Sequence, residues 1–324
     1  MKLQTKVLAV VFALALVCGI AYAAGTNTKT NAKATTKTTT NAKIPVTVIA
    51  MTGTQFGGVD AGLNQGLENY LGAPLDITIV DRNDALKDPK YQGFNLDYMP
   101  LYLIHRTKTV DEKFKEPIER GMLRTTNDFI VMEKETRYGI FANKEAIPNQ
   151  LELFVMSQCP YGVMAENKII AAQKAGLIPD NINIKVRFIV SPGRTADTFS
   201  SLHGTAEWEE DVRQAIVQLK YPKKFWKYIE EFNKDSRTTR WDVVAEKAGL
   251  NPNIFRKYWN DGVKQLKEDM KLANEYGVRG SPSFIWEGRV VTDMGGLSSI
   301  PGLEGLNQAT TQGGAAQQVP QGQC

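Results

Sequence analysis

Two stretches of this chain open in the same way, and that repetition restricts the architectures open to it. Val46–Met51 is a largely β-branched run that breaks at Thr52-Gly53. Apolar positions follow at Leu63, Leu67 and Leu71, Gly72 closes the pattern, and Leu75–Val80 is a second apolar run. Further along, Leu151–Met156 runs into Ser157-Gln158-Cys159-Pro160-Tyr161-Gly162, helical character continues to about Gly176, and Ile182–Val190 is again apolar. Short apolar runs separated by an amphipathic segment predict strand–helix–strand units with parallel strands. The fold class expected is therefore α/β, in two successive segments of 44–150 and 151–306 that meet near Asn149-Gln150.

After its strand–helix–strand opening, the first segment predicts a strand at Leu101–Ile104, a helix near Asp111–Met122 and a hairpin pairing Phe129–Met132 with Tyr138–Phe141. The second changes character between 203 and 277. Ala206–Lys220, Lys223–Asp235, Arg240–Ala248 and Asn253–Tyr276 carry apolar residues at three- and four-residue spacings, punctuated by Pro222, Gly249 and Pro252. Trp208, Trp226, Trp241 and Trp259 belong to these stripes; most are expected to pack in a core, with an exposed peptide-binding patch as the alternative for a few. Ser283–Trp286 and Arg289–Thr292, joined at Glu287-Gly288, form a closing hairpin, and Gly295-Gly296 lead into a last short helix.

The ends read differently. Lys2 and Lys6 precede the apolar Val7–Ile20, and Ala21-Tyr22-Ala23 offers small residues at the cleavage positions, so 1–23 is expected to be a secretory signal peptide. Val17 before Cys18 is too large for a lipidation site. Residues 24–43 (AGTNTKTNAKATTKTTTNAK) hold no large apolar side chain and read as a disordered linker; 307–324 read as a flexible tail. The mature protein is thus expected in the periplasm or secreted, without a stable membrane anchor. Six lysines before residue 44 account for the formal charge of +4, so nothing predicts a nucleic-acid-binding face. With 42% hydrophobic and 23% charged residues the chain is globular, and three cysteines are too few for a disulfide-stapled scaffold.

Removal of the signal leaves Cys159 and Cys324. Cys159 ends a predicted strand and precedes Pro160, a residue suited to a first helical turn because it needs no N–H there. A sulfur at that place faces the unpaired N–H groups and positive end of the helix, which stabilise the nucleophilic thiolate. Tyr161 and Gly162 are expected to leave the turn small and partly open.

FVMSQCPYGVMAENKII, followed by EYGVRGSPSFIWEGR, resembles the thioredoxin superfamily, and the helical insertion 203–277 makes it most similar to the DsbA-type branch. The resemblance covers about 151–306. It implies a thioredoxin fold, with Cys159 as the catalytic nucleophile. It also implies a cis peptide at Ser281-Pro282, with Pro160, Tyr161, Ser281 and Pro282 lining the place of a protein substrate. The first segment then reads as a degenerate thioredoxin-like domain: Thr52-Gly53-Thr54-Gln55 stands where Cys159 would be, and Met99-Pro100 where Ser281-Pro282 would be. Tandem thioredoxin-like domains, the second with a helical insertion, are the expected architecture.

The chain departs from the family at Gly162, where Cys-x-x-Cys enzymes carry the second thiol. Three chemistries stay open: resolution by an external thiol such as glutathione, capture of a partner, or resolution by Cys324 on the tail. No other cofactor is implied. His105 and His203 are too scattered for a metal site, and His203 reads as structural or solvent-exposed. A thiol–disulfide oxidoreductase acting on protein thiols or disulfides is the leading reading. A non-enzymatic binding or scaffold module and a glutathione-dependent transferase or isomerase are the alternatives.

Overall fold

The computed structural model describes residues 42–133, 138–278 and 280–308. The signal 1–23, nearly all of the linker 24–43, and residues 309–324 of the tail, Cys324 included, lie outside the described residues. The chain forms two compact units that divide between Asn143 and Lys144, six residues before Asn149-Gln150. Residues 144–149 go with the second unit because Ile147 N–H donates to Glu287 O at 2.9 Å and Asn149 N–H to the Glu287 carboxylate at 3.2 Å.

In the first unit β1 (Ile44–Ala50) leads through Asp60, whose carboxylate accepts from Leu63 N–H, into α1 (Ala61–Leu71). Gly72 ends that helix at φ 72°, a left-handed conformation in which a Cβ would be strained. Next come β2 (Leu75–Asp81), the single turn α2 (Arg82–Ala85), β3 (Tyr98–Met99) and β4 (Leu101–His105). Two short helices, α3 (Lys108–Lys113) and α4 (Lys115–Glu119), replace the one expected near 111–122. The unit closes with β5 (Arg124–Thr125), β6 (Phe129–Met132) and β7 (Gly139–Phe141). Its main sheet has the order β2-β1-β4-β6-β5, with β1 and β2 parallel and the other pairs antiparallel. Val46, Val48, Tyr102, Ile104, Ile130 and Met132 from the sheet meet Leu63, Leu67 and Phe114 in one core. The expected hairpin between β6 and β7 does not form. Strand β6 is already paired on both edges, by β4 and β5, and β7 pairs instead with β3.

The second unit begins with β8 (Gln150–Val155), α5 (Pro160–Lys174) and β9 (Asn183–Phe188), followed by the two-residue strands β10 (Ser191–Pro192) and β11 (Phe199–Ser200). Four helices come next: α6 (Thr205–Lys220), α7 (Pro222–Phe232), α8 (Trp241–Lys247) and α9 (Asn253–Tyr276). Then β12 (Ser283–Trp286), β13 (Val290–Thr292) and the short α10 (Met294–Leu297) complete it. Parallel β8 and β9 are extended by antiparallel β12 and β13, giving β9-β8-β12-β13. Every residue of β8 is buried, as a strand covered on both faces must be.

Set side by side, the units repeat one topology. Each has a parallel pair around a helix, then a strand that pairs antiparallel with the first and is entered through a cis X-Pro bond: Met99-Pro100 before β4, Ser281-Pro282 before β12. The tandem α/β architecture expected from the sequence is what the chain adopts, with the insertion 203–277 as four helices.

Candidate active site

Cys159 is the N-cap residue of α5, at φ −72° and ψ 122°, and Pro160 occupies the first helical turn. Val155 ends β8 next to this turn, and Cys159 N–H donates back to Met156 O at 3.0 Å. The sulfur therefore stands at the positive end of a helix of 15 residues. Its polar neighbour is the carbonyl oxygen of Ser281, 3.6 Å from Sγ, one residue before the cis Pro282. Four of the five residues singled out around the sulfur meet here, since Pro160 follows Cys159 directly and Ser281-Pro282 lie across from it. Tyr161, half-buried, flanks them.

The turn is not open. Cys159 is 0% exposed, Gly162 is buried, and Ser281 is 7% exposed. Two causes act together. Without a side chain at Gly162, Ser281 closes in: a Cβ at 162 would lie 2.6 Å from Ser281 Oγ and 3.2 Å from Met156 O. That hydroxyl is itself held, accepting from Met156 N–H at 3.1 Å. The space a second thiol would need is thus partly occupied by the serine hydroxyl.

The second cause lies in acids of the helical insertion, which sequence reasoning passed over. Ser157 N–H donates to Asp211 Oδ1 at 3.2 Å, Gln158 N–H to Glu207 Oε1 at 3.0 Å, and Ser157 Oγ donates to the Glu207 carbonyl at 3.3 Å. Glu207, Glu210 and Asp211 on α6 and Glu166 on α5 are all nearly inaccessible to solvent. Burial pushes the Glu166 carboxyl up to about 7, although Asn233 donates to it at 2.9 Å. Burial likewise raises Glu210 to about 7 against the opposing pull of Arg213 and Tyr228, and it raises Asp211 well above the usual range, helped by the neighbouring charge of Glu207. His203 is paired, its Nδ1 lying 2.7 Å from Glu207 Oε1. The signal available in the sequence was an acid inside an apolar stripe: Asp211 sits three residues after Trp208 and four before Ala215, both buried.

A second buried charge group supports β8 from beneath. Arg187 of β9 donates to Glu152 Oε1 of β8 at 2.7 and 2.9 Å and to Asp269 Oδ1 of α9 at 3.0 Å. Burial raises Asp269 to about 6 despite this partner. In the first unit, Thr52-Gly53-Thr54-Gln55 takes the place of the cysteine turn and carries no thiol. Among the described residues no group of three or more His, Cys, Asp or Glu is arranged to hold a metal ion.

Residues 205–306 match the family of the DSBA-like thioredoxin domain. The matched stretch lies within the second unit and spans the helical insertion and the β12–β13 hairpin. Solved structures similar to the chain include the DsbA disulfide interchange protein of Klebsiella pneumoniae, at 16% identity and a TM-score of 0.38, covering 56% of this chain and 94% of that one. The DsbA of Pseudomonas aeruginosa matches at 14% identity and a TM-score of 0.37, over 53% of this chain and 87% of its own. A Proteus mirabilis DsbA variant, solved with a non-covalently bound peptide, matches at 12% identity and 0.37, over 55% and 93%. A search of the curated proteins finds no match.

Proposed function

We propose that this chain is an exported thiol–disulfide exchange protein that acts on protein thiols or disulfides through the single sulfur of Cys159. The observation that carries the reading is the placement of Sγ at the start of α5, 3.6 Å from the backbone of Ser281 beside Pro282. The Cys159 thiolate attacks one sulfur of a substrate disulfide; the new S–S bond forms as the old one breaks, and the other substrate sulfur leaves as a thiolate. Gly162 holds no thiol to resolve that adduct. An external thiol, glutathione being the co-substrate considered, attacks the mixed disulfide and restores Cys159. Cys324 is the intramolecular alternative. The apolar leader 1–23 supports export, and the peptide-bound relative supports a polypeptide substrate.

Incubating the mature chain, carrying Cys324→Ser to remove its other thiol, with oxidised glutathione and weighing it tests the reading. One glutathione adduct on Cys159, lost with dithiothreitol and absent in Cys159→Ser, is the expected result. A native chain that takes up none while the urea-unfolded chain is modified overturns it.

The complete burial of Cys159 and the partly filled space at Gly162 favour a second reading, a binding module that has kept the fold without exchange chemistry. Pull-down with Cys159→Ser separates the two: partners retained only through reducible links belong to the first, unchanged capture to the second.

A further inference from the structure

The two backbone amides immediately before the sulfur, those of Ser157 and Gln158, donate to side chains of the helical insertion and to nothing in their own sheet. We propose that Glu207 is a positioning residue for Cys159, its carboxylate clamping the Gln158 amide so that the sulfur is held shut against Ser281 until the clamp is released. The proposal rests on the reading of Cys159 as the reacting atom and adds a control over access to it.

The geometry is that of a built anchor. Glu207 is 0% exposed, and its oxygens are shared among Gln158 N–H at 3.0 Å, His203 N–H at 3.0 Å, the His203 ring at 2.7 Å and the Ser201 hydroxyl. A solvated glutamate one turn into a helix would gain nothing from this arrangement. A buried one needs each of these donors to offset its desolvation. The titratable groups that act on it are Asp211 on its own helix and His203 on the loop before α6. Asp211 adds a second point of attachment at the Ser157 amide, and its Oδ2 is buried without a partner among the described residues. The clamp therefore joins the loop 157–158 to α6 and to the 201–203 loop through one carboxylate. Any movement of the insertion relative to β8 is transmitted to the residue before the sulfur.

The test compares Glu207→Leu, which keeps the volume and removes the acceptors, with Glu207→Gln, which returns one oxygen acceptor. The rate of Cys159 alkylation by iodoacetamide in the native chain is expected to rise about tenfold or more in Glu207→Leu, the scale set by one buried charge-assisted hydrogen bond. Glu207→Gln is expected to fall back toward the wild-type rate. A merely structural side chain does not distinguish the two variants, and equal rates in all three chains overturn the proposal. Should Glu207→Leu fail to fold, hydrogen exchange of the wild type decides. Ser157 and Gln158 amides protected to the same degree as Val163 N–H of α5 support the clamp; exchange as fast as in an exposed loop overturns it. Alkylation needs no disulfide substrate, so a chain that fails the glutathione test still answers this one.

Discussion

At the scale of single residues, the missing side chain at Gly162 shapes the site as much as the sulfur does. A Cβ there meets Ser281 Oγ at 2.6 Å, so rebuilding the dithiol motif is more than a chemical substitution. Gly162→Cys gains only about 0.3 kcal/mol of helix propensity, whereas overpacking costs typically ~1–3 kcal/mol. The variant is expected to be less stable than the wild type in urea, and Gly162→Cys combined with Ser281→Ala to show a smaller packing penalty at 162 than Gly162→Cys alone. If the penalty is the same with and without the serine hydroxyl, Ser281 is not what closes this position. Cys159 itself was legible in the sequence, because a strand, a cysteine and a proline at a helix start define its place. Its burial was not, since that depends on Ser281, Asp211 and Glu207, all distant along the chain.

At the scale of elements, the Arg187 triad fastens the insertion to the sheet. Glu152 and Asp269 are both buried, and one guanidinium bridges them from β9 to β8 and α9. Removing one member of a buried ion group leaves the others uncompensated, at a cost of about 3–5 kcal/mol. Arg187→Met is expected to lose stability on that order at pH 7 in urea unfolding. The loss should shrink near pH 4, where the Asp269 carboxyl, which burial raises to about 6, has taken up its proton. An equal loss at both pH values would show that packing, not charge, dominates. The helices of the insertion were legible almost to the residue, with α9 found at the expected 253–276, because their apolar stripes are long and their ends are marked by Pro222, Gly249 and Pro252. The pairing of β7 was not, because a strand of three residues carries no sign of which edge is vacant.

At the scale of the whole molecule, the buried acids set the response to pH. Glu166 and Glu210 titrate near 7 in the fold, Asp269 near 6, and Asp211 higher than a solvated aspartate. In the unfolded chain all four fall near 4. Between those limits the native state holds more protons than the unfolded state, so stability is greatest on the acid side and declines as pH rises through about 7. Glu231, held near 2 by Lys227 and Lys234, opposes this only at lower pH, where its pairing is lost below its unfolded value. The melting temperature is therefore expected to drop by several degrees from pH 5 to pH 8, a shift of the size that one to a few kcal/mol produces. Glu210→Gln should flatten part of that slope; an unchanged slope would remove Glu210 from the account.

The sequence by itself determined the tandem α/β order, the helical insertion and the position of Cys159 at a helix start in the second unit. These follow from local patterns, in which apolar periodicity, turn residues and a cysteine before proline act over a few neighbours. Only the tertiary structure decided that this sulfur is shut in, and that four acids on α5 and α6 are buried. Such features depend on which distant side chains share a space, and burial changes what a carboxylate or a thiol does there more than its neighbours in the chain can.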